Sequence, residues 1–172
     1  MNTATFSIAT LAPAIPEIIL LGLLCALLVM DLFLREENRE VTYWLTLVSL
    51  IGVTLLCVAT IGIPTRVTFQ GMFVADLLSQ VLKVATLLTV AATLVYGREY
   101  LRLRGLLRSE FLSLALFATL GMMVMISAHH FLTLYLGLEL MTLSIYAMVA
   151  LQRDSVRATE AAMKYFVLGA LA

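Results

Sequence analysis

An all-α, polytopic transmembrane bundle is the fold class this sequence predicts, and three observations carry that expectation. Of 172 residues, 62% are hydrophobic and only 13% charged, with a mean hydropathy of +1.04. Globular domains run about 45–50% apolar and about 25% charged. The apolar residues are gathered into runs of about 20, the length a helix needs to cross the hydrocarbon. The nine arginines fall between those runs with a strong alternation. Continuous runs rich in Leu, Met and Ala, without two-residue alternation, exclude a β-barrel.

Five segments meet the length requirement: Ala14 to Leu34, Thr42 to Ile63, Phe73 to Tyr96, Ser109 to Ala128 and Phe131 to Leu151. Pro13 and Pro16 suit the entrance of the first span, where a missing N–H is harmless. The N-terminus lacks the basic region of a cleaved signal peptide, and the following apolar run is too long for one. A sixth run starts near Ala158 and is still apolar at Ala172. Its fifteen residues reach roughly 22 Å, short of the roughly 30 Å hydrocarbon, so a longer protein is expected to continue it. Residues 1–172 read as one transmembrane domain, with no internal repeat and no linker long enough to divide it.

The loops predict orientation. The first holds Arg35 and Arg39, the third Arg98, Arg102, Arg104 and Arg108, and the fifth Arg153 and Arg157. The second holds only Arg66, and the fourth, around His129 and His130, has no Lys or Arg. Cytoplasmic loops carry the Lys/Arg excess, so the odd loops are expected in the cytoplasm and the N-terminus outside. Basic and acidic residues balance at 11 each, so no net field points to nucleic acid. Cys25 and Cys57 lie in apolar runs without a ligand-like neighbourhood and read as small buried hydrophobes.

Charges inside the spans are the candidate functional residues, because ions in lipid are costly and face protein or water. Glu139 is the ninth residue of the fifth run, too deep for a short carboxylate to reach the interface. Tyr135, Thr142 and Tyr146 at −4, +3 and +7 complete a polar stripe, while Leu136, Leu140, Leu143 and Met148 suit lipid or apolar neighbours. Burial favours the neutral carboxyl and a nearby lysine favours the carboxylate, so a group between those states can relay a proton. The other reading is a neutral Glu bonded across helices.

Lys83 is expected near the middle of the third span. Asp76, seven residues before it on the same face, makes either a packing pair or part of an ion pathway with it. Glu160 and Lys164 have the spacing of an ordinary i,i+4 helical pair, with Lys164 shallow enough to snorkel. His129 and His130 read as interfacial, with a proton exit as the functional alternative. The sequence has no nucleophile–base pair, phosphate-binding glycine loop or metal motif. Its chemistry is charge movement.

The run G-L-E-L-M-T-L-S-I-Y-A-M-V-A, followed by R-D-S-V-R-A-T-E-A-A-M-K-Y-F-V-L-G-A-L-A, resembles the fifth and sixth helices of the antiporter-like membrane subunits of NADH-quinone oxidoreductase, respiratory complex I, and of subunit N in particular. The opening I-P-E-I-I-L-L-G-L-L-C-A-L-L-V-M-D-L-F resembles that subunit's first helix. The resemblance implies about fourteen helices in two inverted five-helix repeats, with protons carried along a central chain of lysines and a glutamate. It places the family's glutamate on Glu139, and the acidic and basic positions of the sixth helix on Glu160 and Lys164. It also implies a bacterial inner-membrane location, membrane partners that include antiporter-like neighbours and lipid, and no cofactor in this chain. NADH, flavin, iron–sulfur clusters and quinone belong to other subunits on that reading. The broken seventh helix and the second repeat are absent from this sequence, so the chain is expected to be the N-terminal part of a subunit and unable to pump alone. A subunit of a multi-subunit cation/proton antiporter, or a structural or assembly subunit, are the alternatives.

Overall fold

The structure, a computed structural model, describes residues 11–33, 39–152 and 155–171. Arg35 and Arg153 of the loop count lie outside the described residues, as do the first ten residues. A 3-10 turn at Ala12–Ala14, with Pro13 in its opening positions, leads into α1, Ile15–Phe33. The helix α2 spans Arg39–Ala59, followed by β1, Arg66–Thr68, and β2, Phe73–Ala75. Then come α3, Leu77–Leu103, α4, Ser109–Ile126, α5, Phe131–Val149, and α6, Val156–Leu171. The first five helices are long and apolar enough to span a membrane, so the multi-pass helical architecture stands.

The third span departs from the sequence expectation at its start. Phe73 to Ala75 pair antiparallel with Arg66 to Thr68, with Val67 opposite Val74, and the helix begins only at Leu77. Asp76 sets that boundary: its carboxylate accepts the Ser79 N–H at 2.8 Å while the Ser79 hydroxyl accepts the Asp76 N–H at 3.0 Å. This reciprocal capping satisfies two of the donors that any helix start leaves open. At its other end α3 runs through the predicted loop to Leu103, about 40 Å in all. It stops before Gly105, whose φ of +65° only glycine adopts freely.

The core lies among α1 to α4. Leu20, Leu24 and Leu27 of α1 meet Tyr43, Leu47, Leu50 and Val53 of α2, Leu87 and Leu94 of α3, and Leu112, Leu116 and Met123 of α4. Three buried hydroxyls of α2 are returned to its own backbone: Thr46 to Thr42, Ser49 to Leu45 and Thr54 to Leu50. That internal bonding lets these three polar residues sit in an apolar interior, while the buried Thr42 hydroxyl has no partner among the described residues. At the arginine-rich end, Arg98 lies over the rings of Tyr43 and Trp44 and bonds both Glu40 oxygens at 3.1 Å.

The helix α5 packs outside this core, on α4, through two glycines. A Cβ on Gly121 would stand 2.7 Å from the Gly137 carbonyl oxygen, so the backbones touch. Small residues let helices approach this closely where no hydrophobic drive operates between them. In turn α6 rests on α5, with the Tyr146 ring edge-on to Tyr165 and Phe166. The hairpin joins the turn between α4 and α5: the Val74 N–H donates to the Ser127 carbonyl at 2.9 Å and the His129 N–H to the Met72 carbonyl at 3.0 Å. The second and fourth loops therefore share one end of the bundle, as alternating spans require.

Candidate proton-carrying sites

Glu139 sits in the ninth position of α5, about 12 Å from its start by helical rise, and is half-buried. The two glycines place it, since Gly137 is pinned against α4 two residues earlier. The Tyr135 phenol stands one turn away, within reach of its carboxylate. Thr142 contributes less than its spacing implies, because its hydroxyl donates to the Leu138 carbonyl at 2.9 Å. Tyr146, about 10 Å along the axis, is taken up by packing on α6, with its hydroxyl lying over Gly169. Among the described residues Glu139 makes no ion pair.

Lys164 and Glu160 form an i,i+4 pair at 2.5 Å on α6, with side chains 70% and 59% exposed. That exposure keeps the pair's own contribution small, since solvent screens it. The pair and Glu139 are on adjacent helices but share no ion pair among the described residues.

Lys83 is placed differently from the sequence expectation. Because α3 starts at Leu77, Lys83 is its seventh residue, about 9 Å from the hairpin end rather than mid-span. Its partner is Glu17, whose Oε1 lies 2.5 Å from Nζ, with side chains 3% and 7% exposed. The Phe73 ring adds a cation–π contact, its centroid 5.0 Å from Nζ. Asp76 is not Lys83's partner; it is committed to Ser79, and the Ser79 N–H holds its carboxyl below the usual carboxylate range. His129 and His130 are exposed at the same end, and the His130 Nδ1 caps α5 by accepting the Leu132 N–H at 3.1 Å.

Glu17 is the functional candidate that the sequence reading passed over. A carboxylate in the first turn of a helix, just after Pro16, is favoured by the helix dipole and looks ordinary. The signal available was its position inside the apolar run that began at Ala14.

Comparison with known proteins places this arrangement. A family model described as NADH:quinone oxidoreductase/Mrp antiporter, TM, matches residues 128–172, which include all of α5 and α6. The chain is 56% identical over 167 residues to NADH-quinone oxidoreductase subunit N of Nitrosomonas europaea, covering 97% of this chain and 35% of that protein. It is 57% identical over 166 residues to subunit N of Thiobacillus denitrificans, covering 96% and 34%. Over all 172 residues it is 46% identical to subunit N of Alkalilimnicola ehrlichii, covering 35% of that protein. Among solved structures, a chain of respiratory complex I from Thermus thermophilus with bound aureothin superposes with a TM-score of 0.73 at 29% identity, over 91% of this chain and 33% of that one. The chain thus spans about a third of the length of the curated relatives it matches. Matched along nearly its whole length, in sequence and in fold, it belongs to the subunit N family of NADH-quinone oxidoreductases.

Proposed function

We propose that this chain forms part of a proton-translocating membrane subunit of a bacterial NADH-quinone oxidoreductase and that Glu139 is its principal proton-carrying group. The observation that carries this reading is a carboxylate half-buried in the middle of α5, on a helix whose only extensive contacts among the described residues are with α4 and α6. An intramembrane carboxylate must meet protein, water or a counter-charge. A further helix bearing a lysine against the open face of α5 would supply that charge. Lys164 and Glu160, on the next helix, are the neighbouring charged groups through which a proton would continue.

The arginine-rich end, with Arg98, Arg102, Arg104, Arg108 and Arg157, belongs on the cytoplasmic side by the positive-inside rule, with the hairpin on the far side. NADH, flavin, iron–sulfur clusters and quinone are assigned to other subunits, and membrane subunits of the complex, including antiporter-like ones, to the open faces of α5 and α6. The test is Glu139→Gln in the complete complex. Proton pumping should fall several-fold while the amount of assembled complex stays near wild type. Pumping and assembly lowered in equal proportion would make Glu139 a packing residue instead.

A further inference from the structure

We propose that Glu17 and Lys83, with the cleft beside them, form a second proton-binding site, at the hairpin end of the bundle and separate from Glu139. A cleft of about 90 Å³, open to the surrounding medium, is lined by Pro13, Cys57, Arg66, Gln80 and Lys83 among others. Lys83 lines this cleft and also contacts Glu17 behind it. Lys83 thus links the cleft wall to the buried carboxylate. Gln80, one turn earlier on the same face, is held by the Gly62 N–H at 3.3 Å, so the wall between them is fixed.

The carboxylate itself is under-satisfied. Glu17 is more than nine-tenths buried, and neither oxygen receives a well-aligned hydrogen bond among the described residues. Oε1 lies close to Nζ, so charge holds that contact, while Oε2 has no donor among the described residues. An ionised carboxyl has room for about four donors, and leaving them unmade is expensive. Protonation of the carboxyl removes the charge that makes those missing donors costly. The remaining ionisable groups around the pair are few. Cys57 on α2 and Arg66 on β1 line the cleft, and Asp76 at the start of α3 is occupied by Ser79. The single ionisable side chain of α4, Glu110, is at the opposite end of that helix.

Loading takes two balanced steps with no electron transfer. Lys83–NH3+ gives a proton to Glu17–COO−, leaving Lys83–NH2 and Glu17–COOH. A hydronium in the cleft then returns a proton to the amine and leaves as water. The pair gains one proton and goes from neutral to singly positive. Release reverses both steps. The ligand is a proton delivered by water, and no other ion is required.

This site goes beyond the Glu139 reading and does not depend on it, because binding is detectable without turnover. The experiment is infrared difference spectroscopy of the purified complete complex, stepped in pH without substrates. In the wild type a protonated-carboxyl C=O band should grow on acidification and shift in deuterium oxide. Glu17→Asp, which keeps the charge and so protects folding, should move that band, and Glu17→Gln should remove it. Superimposable carboxyl bands in wild type and Glu17→Asp would overturn the proposal and leave the pair a clamp between α1 and α3. Normal pumping by Glu139→Gln would sink the earlier reading without touching this one.

Discussion

Replacing Gly121 by alanine tests the helix crossing that positions Glu139. The added Cβ would stand 2.6 Å from the Met141 nitrogen and 2.7 Å from the Gly137 oxygen, both backbone atoms that cannot rotate away. Ordinary contact needs about 3.5 Å, so α4 and α5 must part by roughly 0.8 Å. A gap of about 0.5–1 Å forfeits a quarter to a half of each dispersion contact across it. Overpacking of this kind costs about 1–3 kcal/mol. The effect falls on α5 because its buried residues are few, Gly137 and Ser144. Gly137→Ala meets the same wall from the other side, 2.9 Å from the Gly121 oxygen and the Met125 nitrogen. One separation relieves both clashes, so the double variant should cost less than the sum of the singles. The assay is retention of the intact complex on native gels after graded heating, with the full-length subunit in place. Gly121→Ala retained to the same temperature as wild type would show that the crossing relaxes freely, and the positioning argument for Glu139 would fall.

Two further outcomes follow from ion pairing and capping. Removing one partner of the Glu17–Lys83 pair, as in Glu17→Ala, leaves a buried ammonium and should cost about 3–5 kcal/mol, while Glu17→Gln combined with Lys83→Met should recover most of it. A double variant no more heat-resistant than the worse single variant would show that the two residues are not coupled. Asp76→Ala should cost about 1 kcal/mol through loss of the α3 cap. Since capping lowers the Asp76 carboxyl, its contribution is complete above about pH 4 and is lost as pH falls through the lowered value. The stability gap between wild type and Asp76→Ala should therefore close in acid, and a gap that persists there would contradict the capping account.

The spans were legible because hydrocarbon thickness imposes a length that residue counting detects. Glu139 was legible for the same reason, as an ion where none is cheap. The hairpin was not. Phe73, Val74 and Ala75 are as apolar as the helix that follows, and three residues are too few for strand alternation to declare itself. The boundary lay in the side chains of Asp76 and Ser79, whose reciprocal bonds outweigh hydropathy. The partner of Lys83 was hidden because spacing along one helix reports only neighbours on that helix, and Glu17 arrives from another. Glycine is equally mute. Gly22 and Gly52 face open space while Gly121 and Gly137 bring two backbones together, and only the crossing of α4 and α5 distinguishes them.

The two backbone bonds between the hairpin and the turn before α5 have a mechanical consequence. The second strand of the hairpin, β2, continues directly into α3, which carries Lys83, and its outer edge is bonded to the residues that lead into α5, which carries Glu139. An axial slide of α5 must either pull this strap with it or break the bonds from Val74 to Ser127 and from His129 to Met72. Lys83 and Glu139, on helices that do not follow one another in the chain, thus hang from a single piece of extended backbone.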